Sequence, residues 1–174
     1  MGERAVFLDR DGVLNATVGD GSQSPRSVAD FHLLPDAPAA CARLREAGFR
    51  LVVVTNQPEI TRGLLDPEAL EGMHDRLRAV LQVDEVRVCT HDDADDCACR
   101  KPRPGLVLDA ARDLGIDLGA SFVVGDRWRD VEAGRQAGCT TILLDRDWSE
   151  AERSRPDHRV ESLDEALGII LGQA

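Results

Sequence analysis

The chain has 174 residues, enough for one domain with a proper core, and 43% of them are hydrophobic, which excludes a disordered chain. Its formal net charge of −11 argues against nucleic acid or an anionic membrane surface as a partner, so a phosphorylated ligand would need local cations and bound metal to draw it in. No apolar run nears the ~18 residues of a membrane span, and the N-terminus lacks the basic segment and apolar core of a signal peptide, so a cytoplasmic protein with reduced thiols is expected.

Aromatic residues make up only 3%, with no Tyr, so the core must be built from Val, Leu, Ile and Ala. Ala5 to Leu8 is apolar without alternation, the pattern of a strand buried on both faces. It ends in Asp9-Arg10-Asp11-Gly12. Residues 16–35 follow as a polar loop rich in Gly and Ser, too short for a separate cap domain. Asp36 to Ala47 reads as a helix, with Asp36 as N-cap, Pro38 in the first turn and Gly48 as the stop. Leu51 to Val54 is a second buried strand. Asp66-Pro67 opens a helix to about Leu81, and Glu85 to Cys89 is a third strand. Cys89 to Cys99 is a polar loop. Pro104-Gly105 leads into a helix ending near Gly115, Ser121 to Val124 is a fourth strand, and Trp128 to Ala137 is a helix stopped by Gly138. Thr140 to Leu144 is a fifth strand, and His158 to Val160 a short edge strand. Ser162-Leu163-Asp164-Glu165 is a capping box for a last helix to about Leu171. Strands alternating with helices predict an α/β protein, a three-layer, doubly wound parallel sheet with right-handed crossovers. Residues 1–174 are expected to form a single domain.

In such a sheet, ligands bind beyond the carboxyl ends of the strands, where Asp9 and Asp11 fall. Two carboxylates placed there repel each other unless a cation or a shared proton intervenes. That arrangement suggests a Mg²⁺ site with one acid acting as nucleophile. The alternative is an acidic turn capped by Gly12. Three later stretches shift the balance: Val52-Val53-Val54-Thr55-Asn56-Gln57, Cys99-Arg100-Lys101-Pro102 and Val123-Val124-Gly125-Asp126. In this order, the four resemble the motifs of the haloacid dehalogenase-like phosphatase superfamily, from Val6 to about Leu144.

The resemblance implies a Rossmann-like sheet with the Asp9 strand at its centre, flanked by the strands ending at Thr55 and Asp126. It implies an aspartyl-phosphate on Asp9, with Asp11 as general acid and then as the base that activates water. Asp9, the backbone carbonyl of Asp11, and Asp126 would hold Mg²⁺. Thr55, with the backbone amides that follow, would hold phosphate oxygens. Lys101 would bind the transferring phosphoryl, and Asn56, Gln57, Arg62, Arg100 and Arg127 are candidate substrate contacts. Lys101 is the only lysine in the chain. Gly125 would let the backbone turn tightly beneath the phosphate. Asp130 would orient its neighbours or cap the following helix. His32, His74 and His158 lack a partner pattern and read as surface or packing residues. Trp128 reads as covering the site rim or packing.

Cys89, His91, Cys97 and Cys99 form a second cluster. Three thiolates and one imidazole are the set that a closed, structural Zn²⁺ takes. Disulfides and unliganded loop thiols are the alternatives. Cys41 and Cys139 read as packing residues. The same four-ligand loop occurs in phosphatases acting on heptose bisphosphates and on histidinol phosphate. Asn56-Gln57 followed by Ile60-Thr61-Arg62-Gly63, and Lys101-Pro102-Arg103-Pro104-Gly105, are similar to the heptose group. The short spacing from His91 to Cys97 is similar to the histidinol group. Arg127, where the heptose enzymes commonly carry Lys, departs from that pattern. The resemblance thus implies a small phosphorylated sugar, a heptose 1,7-bisphosphate cleaved at its 7-phosphate, with histidinol phosphate as the alternative. A catalytically silent, zinc-stabilised binding module is the reading from another class. A monomer is expected.

Overall fold

In the computed structural model, which describes residues 2–19, 23–146 and 153–173, strand β1 (Ala5–Leu8) is wholly buried. It pairs in parallel with β2 (Arg50–Asn56) on one side and β4 (Phe122–Gly125) on the other. β3 (Glu85–Cys89) extends the sheet beyond β2. β5 (Thr140–Leu144) and β6 (His158–Val160) extend it beyond β4, all in parallel, in the order β3-β2-β1-β4-β5-β6. The expected α/β fold is therefore observed, with the Asp9 strand central and the strands of Thr55 and Asp126 beside it.

Successive residues of each strand face opposite sides of the sheet, and both sides are covered. Val6, Leu8, Leu51, Val53 and Val124 pack in one core with α1 (Ala37–Glu46), α2 (Pro67–Leu81) and α5 (Leu163–Gly172). Ala5, Phe7, Val52, Val54 and Val123 pack in a second core with α3 (Gly105–Leu114) and α4 (Trp128–Ala137). This two-sided cover explains why β1 and the middle of β2 read as unbroken apolar runs. Each buried Val, Leu or Phe contributes at most about 1.5–3 kcal/mol. Cys41 and Cys139 belong to these cores.

Three local expectations are corrected. Asp36 precedes α1, but its backbone is already helical (φ −84°, ψ −20°) and its side chain makes no cap bond. Asp66 does cap α2, accepting from the Glu68 N–H at 2.7 Å. At α5 only half of the expected box forms. Ser162 Oγ accepts from the Glu165 N–H at 3.2 Å, whereas the Glu165 carboxylate takes the N–H of Glu161, one residue before the cap. β2 also runs on through Thr55 and Asn56, because both pair with β3. The tip of the 16–35 loop, residues 20–22, lies outside the described residues.

α4 approaches the sheet through Gly134. A Cβ there would lie 2.8 Å from Val123 Cβ and 2.9 Å from Thr141 Cγ2. Alanine favours a helix over glycine by about 1 kcal/mol, but overpacking costs about 1–3 kcal/mol. Neither neighbour is the free end of a flexible side chain, so the steric cost is the larger. Gly134→Ala is expected to lower stability by about 1 kcal/mol net. Urea unfolding checks this, and an unchanged or raised midpoint would show that α4 can lift from the sheet freely.

Candidate active site

Asp9 leaves β1 with its N–H bonded to the Val124 carbonyl at 2.9 Å, so its backbone is still held by the sheet. The chain then turns tightly. Gly12 N–H donates to the Asn15 carbonyl, and the N–H groups of Leu14 and Asn15 both donate to the Arg10 carbonyl. Gly12 has φ +84°, and a Cβ on it would fall 2.3 Å from Asp126 Oδ2. Glycine here both permits the left-handed turn and lets the Asp126 carboxylate come close. Gly125 serves differently from expectation. A Cβ at this position would lie 2.1 Å from Asp130 Cβ, so glycine is required by side-chain approach from α4.

Lys101 is buried, and its Nζ donates to Asp9 Oδ1 (2.7 Å), Asp130 Oδ1 (2.5 Å) and the Val54 carbonyl (2.8 Å). Three acceptors meet the three protons of one ammonium, from β1, α4 and β2. Asp130 Oδ2 also accepts from the Arg127 N–H at 3.0 Å, so this residue caps α4 and fixes Lys101 together. Burial alone would push the Lys101 pKa down, but the charges of Asp130 and Asp9 outweigh it and hold the pKa above the ordinary lysine value. Asp9 moves up to about 8, by burial first and then by the charge of Asp130, against the pull of Lys101. The carboxylates of Asp9, Asp126 and Asp130 lie within 4.8 Å of one another. Fully ionised, they carry three negative charges against the buried Lys101 and the partly exposed Arg127, whose Nε lies 3.9 Å from Asp126 Oδ2. This buried excess, made of hard oxygen donors, fits a divalent cation such as Mg²⁺.

Asp11 turns away from that cluster toward a second cation. Arg10 is fully buried, and its Nε and Nη2 donate to Asp11 Oδ1 and Oδ2 at 3.0 and 3.1 Å. Asn15 Nδ2 and Gln57 Nε2 donate to the same carboxylate at 2.9 Å each. Burial raises the Asp11 pKa, yet the Arg10 charge and these hydrogen bonds overcome it and hold Asp11 below the ordinary value. Arg10 also donates to Gln57 Oε1 at 2.7 Å and contacts His74 Nε2 at 3.2 Å. Nothing in the local sequence distinguishes Arg10 from a solvated arginine. Its partners arrive from β2 and α2.

Thr55 is buried, and its Oγ1 accepts from Gln57 Nε2 at 3.3 Å. The Asn56 amide holds the backbone of Lys101 from both sides, Nδ2 to the carbonyl at 3.0 Å and Oδ1 from the N–H at 3.1 Å. Asp9, Asp11, Thr55, Asn56, Lys101 and Asp126 line one cleft, with Arg127 and Arg129 at its side. Gln57 is fully buried behind it. Thr17, Gln23 and Ser24 also line the cleft, although the sequence offered only a polar loop there. Arg62 is instead paired with Asp92 at 2.6 and 2.7 Å. Arg100 and Arg129 share Asp93 Oδ1 at 2.8 and 3.2 Å. Trp128 is half-buried, with the guanidiniums of Arg129 and Arg153 over its ring.

Cys89, His91, Cys97 and Cys99 converge at one point. Cys89 Sγ lies 3.0 Å from Cys99 Sγ and 3.7 Å from Cys97 Sγ, and His91 Nδ1 lies 3.3 Å from Cys99 Sγ. All five cysteines are free thiols. One imidazole and three sulfurs in this arrangement could hold a tetrahedral metal. The cluster is tied to the cleft: the Gln57 N–H donates to the Cys89 carbonyl at 2.7 Å, and Arg100 Nη1 to the His91 carbonyl at 3.2 Å.

A family model described as HAD-hydrolase-like matches residues 98–166. The chain is 40% identical over 146 residues to a D-glycero-beta-D-manno-heptose-1,7-bisphosphate 7-phosphatase of Bordetella bronchiseptica, covering 81% of this chain and 80% of the relative. It is 36% identical over 193 aligned residues to the D-glycero-D-manno-heptose-1,7-bisphosphate 7-phosphatase of Chlorobaculum tepidum, covering 98% and 96%. A crystal structure of the B. bronchiseptica D,D-heptose 1,7-bisphosphate phosphatase, complexed with magnesium and phosphate, superposes with a TM-score of 0.84. It is 34% identical and covers 98% of this chain and 99% of that one.

The Gly125–Asp130 approach is the tightest constraint in the site and can be tested without substrate. Gly125→Ala forces a clash with a Cβ anchored in α4, so Asp130 must move and release both Lys101 and the α4 N-terminus. The expected loss is at least about 2 kcal/mol in urea unfolding, as for an overpacked core position. Unchanged stability would mean that the β4–α4 turn has slack.

Proposed function

The chain belongs to the haloacid dehalogenase-like phosphatases related to the heptose-1,7-bisphosphate 7-phosphatases, it is a phosphoric monoester hydrolase, and from that premise we propose its reaction. It removes the 7-phosphate of D-glycero-D-manno-heptose 1,7-bisphosphate, leaving heptose 1-phosphate for nucleotide-heptose synthesis. The observation that carries this reading is the triple grip of Lys101 on Asp9, Asp130 and the Val54 carbonyl, in a chain that matches heptose bisphosphate phosphatases over most of its length.

Asp9 attacks phosphorus, and the P–O bond to the sugar breaks as the Asp9–phosphorus bond forms. The leaving alkoxide takes a proton from Asp11. Asp11, now a carboxylate, removes a proton from the water that attacks the acyl phosphate, and Asp9 and inorganic phosphate are released. The clamp of Arg10, Asn15 and Gln57 favours the carboxylate of Asp11, so Asp11 gives its proton readily to the leaving oxygen and is left ionised, as a weaker base, for the second step. Lys101 neutralises Asp9 and the incoming phosphoryl oxygens, in a buried site where one charge counts for more than in water. Thr55 and the adjoining backbone hold phosphate oxygens, and Arg127 and Arg129 offer cations at the cleft side.

Asp9, Asp126 and the Asp11 carbonyl would hold Mg²⁺, with Asp130 close by. When bound, it supplies charge neutralisation to Asp9 and to the phosphoryl group. Zn²⁺ would be held by Cys89, His91, Cys97 and Cys99, a closed set with a bracing role.

Phosphate release under Mg²⁺ from both heptose 1,7-bisphosphate anomers, histidinol phosphate and a DNA 3′-phosphate tests the substrate. A kcat/KM for one heptose anomer at least about tenfold above the others is expected. Preference for histidinol phosphate would overturn the substrate while leaving the phosphatase. Asp9→Asn should abolish turnover in a folded protein, and substantial residual activity would reject the nucleophile. Lys101→Arg conserves charge, but a planar fork cannot meet three acceptors arranged around one ammonium. Its kcat should fall on the order of 10²-fold, as for loss of one preorganised electrostatic group. A wild-type kcat would show that charge alone suffices. Chelating Mg²⁺ should stop catalysis reversibly, and elemental analysis should find about one zinc per chain. Full activity and unchanged melting of zinc-free protein would reject the bracing role.

A further inference from the structure

His74, which the sequence leaves as a surface or packing residue, packs: it is 1% exposed and sits on the apolar stripe of α2 with Leu70, Met73, Leu77 and Leu81. A polar ring on such a stripe is destabilising unless it finds a hydrogen-bond partner. The partner is Arg10 Nη1, 3.2 Å from His74 Nε2 and 64 residues away in sequence. A guanidinium has no acceptor, so His74 Nε2 must accept, and the ring is neutral with its proton on Nδ1. Burial, reinforced by the Arg10 charge, moves the His74 pKa down to about 4, in keeping with the neutral form.

Arg10 has one orientation that serves all its partners. Its Nε and Nη2 meet Asp11, Nη2 meets Gln57 Oε1, Nη1 meets His74, and the Phe31 ring lies 5.6 Å from the guanidinium carbon. Gln57 in turn passes its Nε2 to Asp11, Thr55 and the Asn56 carbonyl. Without an acceptor at position 74, Nη1 would be a buried donor with no partner in this arrangement. The guanidinium would rotate to satisfy it, and Asp11 and Gln57 would follow.

We propose that His74 is a positioning residue: as a neutral acceptor it locks Arg10, and Arg10 then holds the Asp11 carboxylate and the Gln57 amide in register with Asp9. This rests on the reading of Asp11 as the acid and base of phosphate transfer. His74 touches no reacting atom, so it acts on turnover more than on substrate binding.

The test is steady-state phosphate release from heptose 1,7-bisphosphate, with p-nitrophenyl phosphate as a second ester. His74→Leu removes the acceptor, His74→Gln keeps one, and Arg10→Lys removes the fork that His74 locks. In His74→Leu, kcat should fall by about tenfold, equivalent to about 1.4 kcal/mol of transition-state stabilisation. KM should stay within about threefold of wild type. His74→Gln should recover most of kcat. In the Arg10→Lys background, His74→Leu should cost less than about threefold, because residues acting as one unit are not additive. If His74→Leu does not fold, His74→Met is the acceptor-free substitute. A wild-type kcat in a folded acceptor-free variant, equal losses for acceptor-free and Gln variants, or the same loss in both Arg10 backgrounds would each overturn the proposal. Asp11→Asn separates the two claims. Full turnover in that variant rejects Asp11 as acid and base, whereas a dead Asp11→Asn beside an unaffected His74→Leu rejects only the positioning role.

Discussion

The site is organised by one buried ammonium. Lys101 Nζ is the only point where the ends of β1 and β2 and the first turn of α4 meet through hydrogen bonds to a single group, among the described residues. A buried charge is tolerable only if its neighbours replace the water it has lost. Two carboxylates and a carbonyl do so, and each is fixed in turn. Asp9 is held by the β1–β4 ladder, the Val54 carbonyl by β2, and Asp130 by the α4 N-terminus. The close contacts at Gly12 and Gly125 follow from this gathering, since neither Asp126 nor Asp130 could come so near past a Cβ.

The two cations of the site divide the two acids of the Asp-x-Asp motif. Lys101 takes Asp9 and Arg10 takes Asp11. The repulsion anticipated between adjacent carboxylates is thereby relieved before any metal binds. The consequences differ. Around Lys101, burial first and then the surplus of carboxylates raise Asp9, and that surplus leaves room for another positive charge. Around Arg10 the single carboxylate is over-supplied with donors, which holds Asp11 down. Environment alone separates two residues of identical chemistry.

Much of this was legible in the sequence because it is written locally. A strand covered on both faces reads as an unbroken apolar run, and Ala5–Leu8 shows it to the residue, while the bounds of Thr140–Leu144 also match although it opens with two threonines. Asp9 and Asp126 stand out as acids just after such runs, and Lys101 as the only lysine, between the cysteine cluster and Pro102. The cysteine cluster is visible because its chemistry lies within one short loop. Fine cap geometry was less legible. Asp36 has the right type and place, but the backbone enters α1 already helical, so its carboxylate has no reason to turn back. The structural bonds of Asn56 and Gln57 were also not legible. Their amides look free to meet a ligand, yet Asn56 is spent on the Lys101 backbone and Gln57 on Asp11 and its neighbours.

Arg10 and His74 show where local reading ends. An arginine between two acids looks like a solvated counter-charge, and a histidine on the apolar stripe of a helix looks like filler. Each looks ordinary because the partners that enclose it, Gln57 and His74 for Arg10 and Arg10 for His74, are far away in sequence. Only the sheet order, which puts β2 beside β1, and the packing of α2 beneath their ends bring Arg10, Gln57 and His74 together. A surface arginine would gain almost nothing from the same neighbours. Enclosed and fully donated, it becomes a rigid part of the site. The catalytic cleft therefore depends on the apolar core in a direct sense. The hydrophobic packing of α2 determines where an imidazole nitrogen sits, and that nitrogen fixes the guanidinium that holds Asp11.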